Sequence, residues 1–105
     1  MPAKNDVYAN IESVANDGFM TIQPASGSEA VVTYITVNGG GKVKISHYDG
    51  TNEAVIMDLS LLGGESIPFA GQGFPVTNAD YLRVQNKSGA ALIMGYAGYY
   101  TKAAS

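Results

Sequence analysis

The sequence predicts an all-β protein: an antiparallel β-sandwich, jelly-roll-like, of about eight short strands with a short N-terminal arm or helix. Three observations lead there. Apolar and β-branched residues recur with period two from about residue 18 onward. Clusters of Gly, Asn, Asp and Ser cut those runs roughly every 8–12 residues, the spacing of sandwiches and barrels. The chain also holds 13 glycines in 105 residues, which supply the turn conformations that such a fold needs.

The elements follow in order. In residues 1–17, Val7, Ile11 and Val14 are spaced by four and three, which fits one or two helical turns ended by Asn16-Asp17-Gly18. The alternatives are an extended arm that adds a strand to a neighbouring subunit, and a frayed terminus. Residues 18–105 are read as a single sandwich domain. Phe19-Met20-Thr21-Ile22-Gln23 is a short strand stopped by Pro24. Glu29 to Val37 is dense in β-branched residues and ends at Asn38-Gly39-Gly40-Gly41. Lys42 to Tyr48 alternates cleanly, with Val43, Ile45 and His47 on one face. Asp49-Gly50-Thr51-Asn52 turns it into Glu53 to Leu61. Ser66 to Phe69 is a short element whose proline restricts it to an edge, a strand end or a bulge, and Phe74 to Val76 leads into a turn at Asn78-Ala79-Asp80. Tyr81 to Asn86 and Ala90 to Lys102 complete the set, joined through Asn86-Lys87-Ser88-Gly89.

Composition narrows the function classes. Charged residues make up 14% of the chain, against about 25% in average soluble domains. A small protein with so few charges often has much of its surface covered by a partner. There is no cysteine, which removes disulfides, cysteine-ligated zinc, iron–sulfur clusters and thiol catalysis together. A single histidine, His47, does not build a polyhistidine metal site. Basic residues are scattered singly at a net charge of −3, so nucleic acid is not an expected partner. The polar opening residues do not read as a secretory signal, and the weakly charged stretch from Ser88 to Thr101 is too short and glycine-broken to span a bilayer.

Candidate chemistry is sparse. The carboxylates stand mostly beside turns, and a small hydrolase would have to use Asp49, Glu53 or Asp80. The Asp49–Glu53 run lacks the ligand spacing of a calcium loop. Asn38 to Lys42 is glycine followed by lysine, yet Lys42 opens a strand and not the helix that a phosphate loop requires. No cofactor and no metal is expected. The aromatics are more informative, since seven tyrosines without tryptophan suit interfaces. In the last strand Ala91, Ile93, Gly95, Ala97 and Tyr99 share one face, and Leu92, Met94, Tyr96, Gly98 and Tyr100 the other. Neither face is polar, so both are expected to be covered. Leu92, Met94, Tyr96, Tyr99 and Tyr100 are accordingly the candidates for self-association. Val7, Tyr8, Ile11 and Val14 are those for contact with another protein or a neighbouring copy.

The series Thr21-Ile22-Gln23-Pro24, Glu29-Ala30-Val31-Val32-Thr33-Tyr34-Ile35-Thr36-Val37 and Tyr48-Asp49-Gly50-Thr51-Asn52-Glu53 resembles small virion proteins of tailed bacteriophages. Asp80-Tyr81-Leu82-Arg83-Val84-Gln85-Asn86-Lys87-Ser88-Gly89, with Gly95-Tyr96 after it, extends the resemblance to residues 18–102. It implies a capsid decoration, or cement, protein: a non-enzymatic β-domain on the outside of a phage head, often a homotrimer, bound to the major capsid or another virion protein. The rival expectation is a carbohydrate- or receptor-binding tip of a tail or fibre, with Tyr48, Tyr81 and Tyr99 as platform residues.

Overall fold

The computed structural model describes residues 6–69, 71 and 73–102. They form nine strands: β1 (Val7–Val14), β2 (Phe19–Ile22), β3 (Glu29–Asn38), β4 (Gly41–Tyr48), β5 (Glu53–Leu61), β6 (Glu65–Pro68), β7 (Phe74–Thr77), β8 (Tyr81–Asn86) and β9 (Leu92–Lys102). One sheet, sheet A, has the order β1-β9-β3-β6, with β7 also paired to β3. The other, sheet B, has the order β2-β8-β4-β5. The pairs β4–β5, β3–β6, β2–β8 and β1–β9 are all antiparallel, so the chain is one long hairpin folded over on itself. Its tip is the Asp49–Asn52 turn. This is the jelly-roll order, with β7 inserted as an extra short strand.

The period-two pattern produces the core. Met20, Ile22, Val43, Ile45, Leu82 and Val84 point inward from sheet B, and Ala30, Val32, Ile35, Val37, Leu92, Met94 and Tyr96 face them from sheet A. Each fully buried aliphatic side chain contributes about 1.5–3 kcal/mol of transfer free energy. The accessible surface, 5576 Å², agrees with the roughly 5,600 Å² expected for a compact chain of this mass.

Two bulges set which residues face inward. In β3 the register with β9 shifts between Val32 and Tyr34, leaving Thr33 unpaired, and the buried series changes from Ala30 and Val32 to Ile35 and Val37. Thr33 donates its side-chain hydroxyl to the Ala97 carbonyl at 3.0 Å, which closes the gap in the ladder. In β5 the shift leaves Ile56 unpaired, so Met57 and Leu59 turn toward the core while Val55 faces outward.

The N-terminal segment differs from the helical reading. Residues 7–14 are extended and pair with Leu92–Tyr99 in unbroken register, which places Tyr8 and Val14 in the core of their own chain. The i, i+4, i+7 spacing is therefore coincidental: Val14 faces inward, whereas Val7 and Ile11 face out. In its own chain β1 is the edge strand of sheet A, hydrogen-bonded to β9. Residues 1–5 lie outside the described residues. A buried side chain, Asn86, ties the end of β1 to the rest. Its Nδ2 donates to the carbonyls of Val14 (2.9 Å) and Ala90 (2.7 Å), and its Oδ1 accepts from the Ser88 N–H at 2.9 Å.

Candidate functional site

Sheet A has an inner and an outer face, and they separate the candidate residues. Leu92, Met94 and Tyr96, expected at a self-interface, are buried beneath sheet B. Such residues have no surface to offer a second copy. Tyr100 is half-buried on the same inner side, and Tyr99 half-buried on the outer side. Tyr8 and Val14 are likewise core residues.

Tyr8, Tyr96 and Tyr100 form an aromatic cluster, with ring centroids 5.1 Å apart for both Tyr8–Tyr96 and Tyr8–Tyr100. The Tyr8 hydroxyl is buried and meets no acceptor at hydrogen-bonding geometry. Burial, reinforced by the adjacent phenols, pushes its ionisation far above the usual tyrosine range, and burial raises Tyr96 as well. Both stay neutral, so the cluster supplies packing and no general base.

The outer face of sheet A is apolar and open. Val7 and Ile11 from β1 are 76% and 74% exposed, Ile93 from β9 is 50% exposed, and Tyr34 from β3 is 40% exposed. Gly95 lies between them without a side chain. A Cβ there would stand 2.9 Å from the Asn10 carbonyl oxygen, 3.0 Å from Thr36 Oγ1 and 3.1 Å from Ile11 Cγ1, so the neighbouring strands and these two side chains crowd the glycine from either side. Two depressions adjoin this bridge. One of about 570 Å³ is lined by Ala9, Asn10, Tyr34 and Ala97, and one of about 370 Å³ by Asn38, Gly64, Ser66 and Ile93. Ile11 and Thr36 border both. Ile93, the most exposed apolar residue of β9, was missing from the sequence candidates; alternation singled out two faces of β9 and did not say which one faces the solvent.

The outer face of sheet B is polar and aromatic. The Arg83 guanidinium stacks on the Tyr48 ring at 3.8 Å and on the Phe19 ring at 4.4 Å. It also donates to Glu53 Oε2 at 2.7 Å, while Lys44 stands 3.7 Å from Glu53 Oε1. Tyr48 and Tyr81 meet edge to face at 5.6 Å. The hydrogen bond from Arg83, with Lys44 nearby, holds the Glu53 carboxyl below its usual range. This stack was not visible in the sequence, because it joins four strands whose register the sequence does not give. Tyr99, the third platform residue, belongs to the opposite sheet, so the proposed three-tyrosine platform does not assemble.

The hydrolase candidates meet around a small depression of about 160 Å³ that includes His47, Asp49, Glu53 and Asp80. Each carboxylate has a structural partner. Asp49 Oδ1 accepts from the backbone N–H groups of Asn52 (2.6 Å) and Thr51 (2.9 Å), and these bonds favour the carboxylate, lowering its pKa below the usual range. Glu53 is held by Arg83, and Asp80 stands 3.7 Å from His47 Nε2. His47 itself packs its ring against Phe74 at 5.3 Å. Asp49 and Glu53 are thus held in their ionised forms by the turn and by Arg83. Among the described residues no group of three or more His, Asp or Glu side chains is arranged to hold a metal ion.

Comparison with known proteins gives a fold relation. No family model matches the chain, and no curated protein does. Among solved structures it is similar to one from work on Bacillus endospore appendages, described as a novel family of disulfide-linked pili. The TM-score is 0.52 at 16% identity, over 100% of this chain and 95% of that one. At that identity the likeness concerns the jelly-roll sandwich alone.

Proposed function

We propose that the chain is a non-enzymatic structural subunit of a virion, a capsid decoration protein held on the outside of a phage head by the outer face of sheet A. The observation that carries this reading is the open apolar surface of Val7, Ile11, Tyr34 and Ile93. A contiguous exposed patch of this kind on a small domain usually marks a contact surface. The low charge content of the chain and the engagement of its carboxylates in turns and ion pairs agree with a role in contact and not in catalysis. On a repeating lattice, many weak contacts of this size add up to firm attachment. The partner in this reading is the major capsid protein or another virion protein.

Immunogold labelling of intact particles with an antibody against the chain tests it. Labelled capsid exteriors are expected, and the double variant Ile11→Asp, Ile93→Asp should fold normally yet fail to attach. Label confined to the soluble fraction, or attachment undiminished in that variant, would overturn the reading.

A second reading rests on the full-length fold likeness to the pilus structure: a subunit of an extracellular filament. This chain has no cysteine, so a disulfide link of the kind named for those pili has no counterpart in it. Label along filaments instead of capsids would select this reading.

A further inference from the structure

The four sheet edges are not alike. The edge of sheet A opposite β1 is divided between β6 and β7, each four residues long and each containing a proline, Pro68 and Pro75. In sheet B, β2 is four residues long with Pro24 soon after it, and β5 is interrupted by the bulge at Ile56. Short strands, prolines and bulges are the devices that keep β edges from pairing with other chains. The remaining edge, β1, has none of them. It runs eight residues in unbroken register, with no proline and no lysine or arginine.

The hydrogen-bond phase of β1 is fixed by one contact. The Tyr100 N–H donates to the Asp6 carbonyl at 2.9 Å, and Asp6 stands opposite Tyr100 by continuation of the register. Hydrogen-bonded positions alternate along an antiparallel ladder. The even residues Tyr8, Asn10 and Glu12 therefore direct their backbone groups to β9. The odd residues Val7, Ala9, Ile11 and Ser13 direct their N–H and C=O groups outward, and all four are exposed. Their side chains lie on the same outer face that carries the apolar patch.

We infer that β1 pairs antiparallel with β1 of a second copy of this chain, about a two-fold axis passing at Asn10, so that sheet A continues across the dimer. In this register Val7 stands opposite the partner's Ser13 and Ala9 opposite the partner's Ile11. All four outward-directed residues of each strand are used, at two hydrogen bonds per pair. Charge is compatible with this register: Glu12 faces the partner's Tyr8, whereas a slide of four residues, which moves the axis to Glu12, would bring the two Glu12 carboxylates face to face. The partner is a second copy because one strand then satisfies both sides of the contact. A contact one strand wide falls below about 1,200 Å² of total buried surface, which makes the dimer concentration-dependent and not obligate.

This pairing deepens the structural-subunit reading and rests on it, but the two are measured separately. Sedimentation velocity over a concentration series should show a monomer–dimer equilibrium. Ala9→Pro removes an outward N–H while the ladder to β9 stays whole, so it should weaken dimerisation by about tenfold or more with the thermal midpoint nearly kept. Asn10→Cys places the chain's single thiol on the axis, where the two Cα atoms of a non-hydrogen-bonded pair stand about 4.5 Å apart, within disulfide reach. Mild oxidation should cross-link it efficiently, and Ile93→Cys poorly. A strict monomer at the highest soluble concentration, a trimer, or cross-linking through Ile93→Cys but not Asn10→Cys would each overturn the inference. None of these outcomes depends on whether the protein is found on capsids, which the antibody labelling decides.

Discussion

Tyr8 carries a hydroxyl into the interior beside the Tyr96 phenol, with no acceptor at full hydrogen-bonding geometry. An unsatisfied buried donor opposes folding, so Tyr8→Phe should leave stability unchanged or raise it by about 1 kcal/mol in denaturant unfolding. The same residue sets an alkaline limit. Its ionisation is raised in the folded state, so its contribution is intact below the ordinary tyrosine value, about 10, and declines as pH rises beyond it. Tyr8→Phe should therefore flatten the loss of thermal stability above that pH, and an unchanged alkaline slope would count against the burial argument. Glu53 works in the opposite direction. Its carboxyl is held low by Arg83, so its stabilisation is present above the ordinary carboxylate value, near 4, and is lost as pH falls through that value and below. Glu53→Gln should cost up to about 1 kcal/mol at neutral pH, because the pair is partly exposed. The melting midpoint of that variant should also fall less steeply in acid than that of the parent chain.

Among the elements, the β3–β9 pair is the most constrained. The bulge at Thr33 draws the two backbones together around Gly98, where a Cβ would collide with the Val31 carbonyl oxygen. The colliding atom is backbone in a central strand, so no side-chain rotation relieves it. Gly98→Ala should accordingly destabilise by about 3 kcal/mol or more, read as a loss of midpoint in urea unfolding. Gly95, on the same strand, is crowded less severely: a Cβ there would stand 2.9 Å from the Asn10 carbonyl oxygen, with the Thr36 and Ile11 side chains next nearest. The two glycines lie on opposite faces of β9, and the sequence shows them only as breaks in an apolar run. The bulge is equally hidden. Val31, Val32, Thr33, Ile35 and Val37 are β-branched almost without interruption, so they announce a strand without revealing where its inward phase changes.

The whole molecule divides its surfaces by chemistry. The outer face of sheet B carries the Arg83 stack and its ion pairs with Val55 exposed beside them, whereas the outer face of sheet A is apolar and open. The unblunted edge, β1, borders that open face. Face and edge are thus adjacent: Ile93→Asp addresses the face, Ala9→Pro addresses the edge, and Ile11 lies on both. A decoration protein that uses the face for attachment and the edge for a weak contact with its own kind would gain cooperativity on a lattice without being an obligate dimer in solution.

By itself the sequence determined the class of the fold and most of its strands. Eight runs, from Phe19 to Lys102, fall within a few residues of β2 to β9, because period-two alternation and glycine-rich turns are local signals that neighbouring residues impose on one another. It also fixed the residue content on which thiol and histidine chemistry would draw, no cysteine and one histidine, which does not depend on folding. The tertiary structure decided the rest. Strand identity for Val7–Val14 came only from pairing with β9, because a spacing of four and three satisfies a helix as readily as a strand with two exposed apolar residues. The same pairing decided that Leu92, Met94 and Tyr96 are core while Ile93 is surface: alternation distinguishes two faces but assigns neither, and the assignment comes from the sheet that covers one of them.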